Sequence, residues 1–342
     1  MTSKSVVNHV NIESQIMDLI NSVGGSKDAD LLKEMMLTTL RMAEDKTSRK
    51  DIKISHFALR EMKYANHLFS KYRDKRKVTV FGSARVERGD PIFGQAVSFS
   101  RMMVKKGFMI ITGAGGGVMK GAQMGAGRKN SFGLNIILPF EQEPNRYIVG
   151  DPKLIYFRYF FTRKLFFLRE ADAVVLFPGG FGTQDEGFET LTLMQTGKSL
   201  PFPVVLVDTP GGSYWREWME YLEDHILARG LISPEDFSFF KITDDIGEAV
   251  EEIVRFYNRY HSLRYVKRRL VIRLNSPLTQ RMIEKLNDHF NDILSKGKIM
   301  ACGALPDESD EPEIAHLPRL VLNFKRKNFG RLREFIDAIN RF

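Results

Sequence analysis

The stretch Ala173 to Glu189, AVVLFPGGFGTQDEGFE, decides the fold. Val174, Val175, Leu176 and Phe177 form an apolar run, and Pro178-Gly179-Gly180 and Phe181-Gly182-Thr183 follow. Asp185, Glu186 and Glu189 then lead into LTLMQTGK, which is helical in pattern. This order predicts a buried strand, a tight turn and a helix start. Glycines let backbone N–H groups come close to a ligand. The helix N-terminus offers unpaired donors and a partial positive charge, a combination suited to a phosphate. A competing reading makes Thr183-x-x-Glu186 a capping box, with Thr183 accepting from the Glu186 N–H and Glu186 reaching back. A second glycine-rich turn, Gly113 to Gly117, favours the ligand.

On either side of this stretch, strands of four or five residues alternate with longer helical segments. Val78 to Phe81 runs into Gly82-Ser83-Ala84-Arg85, and a helix from about Pro91 to Lys106 follows. Phe108 to Thr112 runs into Gly113-Ala114-Gly115-Gly116-Gly117 and a helix over Val118 to Gly127. Further strands are expected at Leu134 to Leu138, Pro203 to Val207 and Phe239 to Ile242. Further helices are expected at Tyr159 to Arg169, Ser213 to Leu227 and Ile246 to Tyr260. Pro139 to Gly150 reads as a loop carrying Glu141, Glu143 and Arg146. The alternation predicts an α/β, Rossmann-like, doubly wound parallel sheet. Ligands of such sheets bind beyond the carboxyl ends of the strands. The loops at Gly82, Gly113 and Gly179 therefore gather at one edge.

Residues 1–76 read as a helical extension with apolar stripes such as Leu32, Met35, Met36 and Leu40. Residues 77–261, which carry the three glycine loops, are expected to form the Rossmann-like domain. Residues 262–342 follow a βαββα order, a small α+β unit of ferredoxin-like character. The 342 residues carry a formal charge of +9, with local clusters at Lys71 to Lys77 (KYRDKRK) and Arg264 to Arg269 (RYVKRR). Both clusters lie at segment junctions and read as solvated linkers, so nucleic acid is not an expected partner. With one cysteine, Cys302, no disulfide can form within the chain. That usage, together with an N-terminus lacking a signal-peptide core, predicts a cytoplasmic protein with no membrane partner.

The segment 77–261 resembles the LONELY GUY family, whose members are often labelled lysine decarboxylases. The resemblance rests on TVFGSAR (Thr79 to Arg85), ITGAGGGVMKGA (Ile111 to Ala122), LNIILPFEQEPN (Leu134 to Asn145), RYFFTRKLFF (Arg158 to Phe167) and PGGFGTQDE (Pro178 to Glu186). The last fits the family's PGGxGTxxE signature, while the second turn reads GAGGG where many members read GGGPG or GGGxG. The resemblance implies a phosphoribohydrolase that cuts the N-glycosidic bond of nucleoside 5′-monophosphates. It implies a catalytic pair, which by position is Arg163 and Glu186. It also implies a homodimer or larger assembly with the site near a subunit interface. Substrate contacts are expected from Gly82, Ser83, Gly113, Gly115, Gly116, Gly117, Gly179, Gly180, Gly182 and Thr183. No cofactor and no metal are expected.

The chemistry fits these residues. Breaking the bond puts positive charge on the ribose carbon, which a carboxylate stabilises. Glu186 is expected to stay ionised in the field of the helix N-terminus. Asp185, Glu186 and Glu189 repel a phosphate at the same helix start, so a cation is needed nearby, and Arg163 is the candidate. A pyridoxal-dependent decarboxylase needs a Schiff-base lysine in a cofactor site, and Lys164 and Lys198 sit in no such context. The alternative reading is a nucleotide-binding sensor or carrier without turnover.

Overall fold

In a computed structural model, which describes residues 3–139 and 143–342, the chain divides into two compact units, Met1–Lys63 and Tyr64–Phe342. Side chains are described from residue 11 onward, and Glu141 of the expected loop lies outside the described residues. The first unit contains α1 (Ser3–Ser22), α2 (Ala29–Glu44) and most of α3 (Arg49–Phe69). Within it Lys33 and Glu13 pair at 2.9 Å, and α2 buries none of its side chains.

The second unit begins with the alternation read from the sequence. Its elements are β1 (Lys77–Phe81), α4 (Pro91–Lys105), β2 (Met109–Thr112), α5 (Gly117–Ala126), β3 (Ser131–Ile136), β4 (Leu154–Phe157), α6 (Phe160–Arg169) and β5 (Ala173–Leu176). They continue with α7 (Phe181–Gln195), β6 (Val204–Val207), α8 (Tyr214–Tyr221), β7 (Phe240–Thr243) and α9 (Ile246–Phe256). All seven strands are parallel, in the order β4-β3-β2-β1-β5-β6-β7. Such strands are covered on both faces, so β1, β2, β5 and β6 bury every residue. One core joins Val78, Val80, Ile110, Val175 and Val205 to Phe99 and Met103 of α4 and Ile253 of α9. Chain direction across the sheet reverses between β1 and β5, where a ligand crevice opens in this fold.

Three boundaries differ from the sequence reading. The loop after β3 ends in an edge strand, β4, whose four residues pair with Gly133 to Ile136. The helix expected to reach Leu227 continues beyond Tyr221 as a π-helical turn over Leu222–Leu227. The helix expected to reach Tyr260 stops at Phe256, and Tyr260 begins a strand instead.

That strand, β8 (Tyr260–Val266), opens a second sheet with β9 (Arg269–Leu274), α10 (Gln280–His289), β10 (Leu294–Cys302), β11 (Arg319–Phe324) and α11 (Phe329–Arg341). The order β10-β11-β9-β8 is antiparallel throughout. It is the order of a ferredoxin-like sheet in circular permutation. An acidic segment lies against it, with Glu308 buried between Arg273 and Arg319 at 2.6 and 3.1 Å. Buried Arg333 of α11 pairs with Glu252 of α9 at 2.6 Å. Gly330 sits so close to the Glu235 carbonyl that a Cβ would come within 2.1 Å of it.

Candidate functional site

The carboxyl ends of β1, β2, β3 and β5 open into a cleft of ≈ 810 Å³ at the sheet's reversal point. Its walls include Gly82, Ser83 and Arg85 after β1, Gly113 after β2 and Leu138 after β3. Arg163 of α6 and the run Gly179 to Glu186 complete it. The three expected glycine loops therefore meet, but their glycines do different things.

Gly180 and Gly182 have open space where a Cβ would stand, so nothing in the protein requires glycine there. Backbone exposed on that side is free to meet a ligand closely. Gly179 is a packing glycine, since a Cβ there would fall 2.2 Å from Thr183 Oγ1 and 2.9 Å from the Ser83 nitrogen. Gly116 and Gly117 lie behind the first loop. A Cβ on Gly117 would meet the Ser83 carbonyl at 2.1 Å, and one on Gly116 the Ala84 carbonyl at 2.9 Å. Neither they nor Gly115 line the cleft, whereas Gly82, Ser83, Gly113, Gly179, Gly180, Gly182 and Thr183 do.

Ala114, the departure from the family pattern, adopts φ +64°. A side chain is strained in that left-handed conformation. Asn145 holds it there. Its Nδ2 donates to the carbonyls of Ala114 at 3.0 Å and Gly115 at 2.9 Å, and to Gln123 Oε1 at 2.6 Å. Its backbone N–H donates to the Ala114 carbonyl at 2.8 Å. Tyr214 supports the other loop by donating its hydroxyl hydrogen to the Gly179 carbonyl, and it accepts from Gln184 Nε2 at 2.7 Å. Asn145 closes one of the motifs quoted above, but its support of the loop is not legible there, and Tyr214 did not stand out at all, because their main partners are backbone groups of distant loops.

Helix α7 starts at Phe181 with Gly180 as its cap, and no side chain caps it. The capping-box reading is therefore incorrect. Glu186 turns into the cleft wall instead, 5% exposed, with Oε2 buried and without a hydrogen-bond partner. Burial pushes its carboxyl up to about 7, helped by nearby Glu189 and Asp185 and opposed by Lys164 and Arg163. The expectation that the helix dipole keeps Glu186 fully ionised is corrected: removal from water outweighs the dipole here. Arg163 lies beside this carboxyl, its guanidinium 4.9 Å from the Phe160 ring centroid and 5.3 Å from that of Phe167, and its Nε is buried without a partner. Burial lowers its basicity, yet an arginine stays protonated.

Lys164 was dismissed as a Schiff-base lysine and missed as a structural cation. Its Nζ spans Asp185 at 2.7 Å and Glu189 at 2.9 Å, tying α6 to α7. Two of the three acids at the helix start thereby share one ammonium, which offsets part of their charge. Among the described residues, no group of three or more His, Cys, Asp or Glu side chains is placed to share a metal ion, and no helix is long and apolar enough to cross a membrane.

Residues 115–253 match the protein family described as "Possible lysine decarboxylase". Over 180 residues the chain is 27% identical to a cytokinin riboside 5′-monophosphate phosphoribohydrolase of Rhodococcoides fascians, covering 52% of this chain and 89% of that protein. The core of this chain is thus similar in sequence to both. Solved structures similar to this core include a molybdenum cofactor binding protein of Rippkaea orientalis. It is 20% identical over 52% of this chain and 94% of its own, with a TM-score of 0.35. The molybdenum cofactor carrier protein of Chlamydomonas reinhardtii is 19% identical over 53% and 97%, with a TM-score of 0.38.

A buried carboxyl raised above its unfolded value destabilises the native state once it must ionise. The cost is absent below the unfolded pKa and complete above about pH 7. Glu186→Gln is therefore expected to raise the thermal midpoint at pH 8, by a stability gain of up to about 3 kcal/mol, and to leave it nearly unchanged at pH 4. Calorimetry at the two pH values checks this; equal midpoints at pH 8 would contradict it.

Proposed function

We propose that this protein is a nucleoside 5′-monophosphate phosphoribohydrolase, releasing free base and ribose 5-phosphate. The observation that carries the reading is the buried, unpartnered Oε2 of Glu186 beside Arg163, in a cleft whose floor is an uncapped helix start. The 5′-phosphate sits at the Gly180 to Thr183 turn, where backbone N–H groups and the α7 dipole favour an anion. The bond between the ribose carbon and the base nitrogen breaks, and its electron pair leaves with the base. Water adds to the ribose carbon. Ionised Glu186 stabilises the positive charge and takes a proton from that water, and the base gains its proton from solvent. Arg163 supplies charge-assisted hydrogen bonds to the substrate and balances the carboxylate.

The test is base release from a panel of purine and pyrimidine monophosphates. Wild-type protein should turn over, and Glu186→Gln should bind the substrate while losing at least about 100-fold in kcat. Binding without base release by wild-type protein would support the carrier reading instead.

Because the ionised carboxylate acts, kcat/KM should rise with pH through about 7. Lys164→Met removes the cation that most opposes the burial effect, so the acid limb should move to higher pH in a pH–rate profile. An unmoved limb would remove Lys164 from this role.

The reading extends to self-association. Tyr156, Phe160, Phe161 and Leu165 expose large apolar area on β4 and α6, next to the cleft. Several large apolar side chains exposed on neighbouring elements suit a contact surface. Light scattering at micromolar concentration should give the mass of a dimer or larger, and a monomer mass would contradict this.

A further inference from the structure

The second sheet carries a feature that the proposed reaction does not use. Its strand register brings three separate basic runs to one end. Val266 pairs with Arg269 across the β8–β9 turn, which holds Lys267, Arg268 and Arg269. Leu322 pairs with Leu270, so the exit of β11, with Lys325, Arg326 and Lys327, lies beside that turn. Leu294 pairs with Phe324 and Lys296 with Asn323, which adds Lys296 and Lys298 of β10 to the same end. Seven of these eight cations are exposed, and Arg269 is half-buried. Carboxylates of the acidic segment and of the turn after α10 lie close by. Asp307 pairs with Lys267 at 2.9 Å, and Asp292 is held by Arg331 at 3.0 Å while its backbone carbonyl accepts from Lys325. Arg326 lies over the Tyr265 ring, 4.1 Å from its centroid.

Both turns share a backbone feature. Among the described residues, the non-glycine residues at positive φ are Lys46, Ala114, Lys267 and Arg326. Ala114 lies next to Gly113 of the cleft wall, and Lys267 and Arg326 belong to the patch, at +56° and +57°. Glycine or asparagine relieves such turns. Lys267 and Arg326 instead place long cationic side chains at the two adjoining turns.

We propose that this end of the second sheet binds single-stranded nucleic acid through its phosphates, with Tyr265 and Arg326 offering a stacking platform for a base. Exposed cations beside an aromatic ring are how such strands are held without sequence preference. A membrane surface fits less well, because it calls for apolar side chains to insert. Among the described residues of this sheet and its helices, the exposed large apolar side chains are Met300 and Phe342.

The test uses the full chain and fluorescence anisotropy with oligo(U) and oligo(dT) of about 20 nucleotides. Comparing the two tells RNA from DNA. If about five phosphates are neutralised, log K should fall against log salt with a slope of about −3.5. The double variant Lys267→Gly with Arg326→Gly should weaken binding about tenfold and flatten the slope by about 1.4. Its thermal midpoint should not fall, since glycine suits both turns, and its base release should not change. Absence of binding at low salt would overturn the proposal. So would unchanged affinity of the variant, or capture by anionic phosphatidylserine vesicles without capture of either oligonucleotide.

Discussion

The backbone of Ser83 is held from both sides. Its N–H donates to the Pro178 carbonyl at 3.0 Å, and its carbonyl accepts from the Val118 N–H at 2.9 Å. Gly117 and Gly179 press against the same residue at distances no Cβ would allow. The loops after β1, β2 and β5 thus lock into one another through backbone contacts, at the point where the strand order reverses. Once they are locked, the remaining glycines, Gly180 and Gly182, face open space, and α7 begins without a cap. The cleft follows from that lock.

The lock also sets the electrostatics. With the α7 start fixed against the β1 loop, Glu186 is carried out of water and its Oε2 is left without a donor. An unpaired buried carboxyl is expensive, and proteins retain such groups where chemistry needs them. Lys164 and Arg163, adjacent on α6, divide the compensation. Lys164 offsets part of the charge of the flanking acids Asp185 and Glu189, while Arg163, stacked on Phe160 and Phe167, keeps its hydrogen-bonding capacity for a ligand.

Much of this was legible before the structure. Runs such as AVVL and MIIT followed by glycines gave the strands, their loops and the edge at which they gather. The short edge strand Leu154–Phe157 was hidden because four residues after a long loop carry too little period to recognise, and Tyr156 faces outward. Tyr260–Val266 was hidden because a helix end and a basic run blurred its alternation. Glycine itself is ambiguous in a sequence: Gly117 and Gly182 look alike, yet one avoids a carbonyl and the other faces open space. The T-x-x-E spacing suited a cap equally well, and only the tertiary placement of α6 decided that Glu186 turns inward. The basic patch was missed for the same reason, since its runs lie some 30 residues apart and antiparallel pairing alone unites them.

The central claim is that Glu186 is a buried carboxyl poised between its two protonation states near neutral pH. The direct measurement is a carbon-13 NMR titration of the glutamate carboxyls, with the Glu186 signal assigned by its loss in Glu186→Gln. A midpoint near 7 is predicted. A midpoint near 4.5, the ordinary value, would contradict the account, because the carboxyl would then be hydrated or capped rather than held dry in the cleft wall.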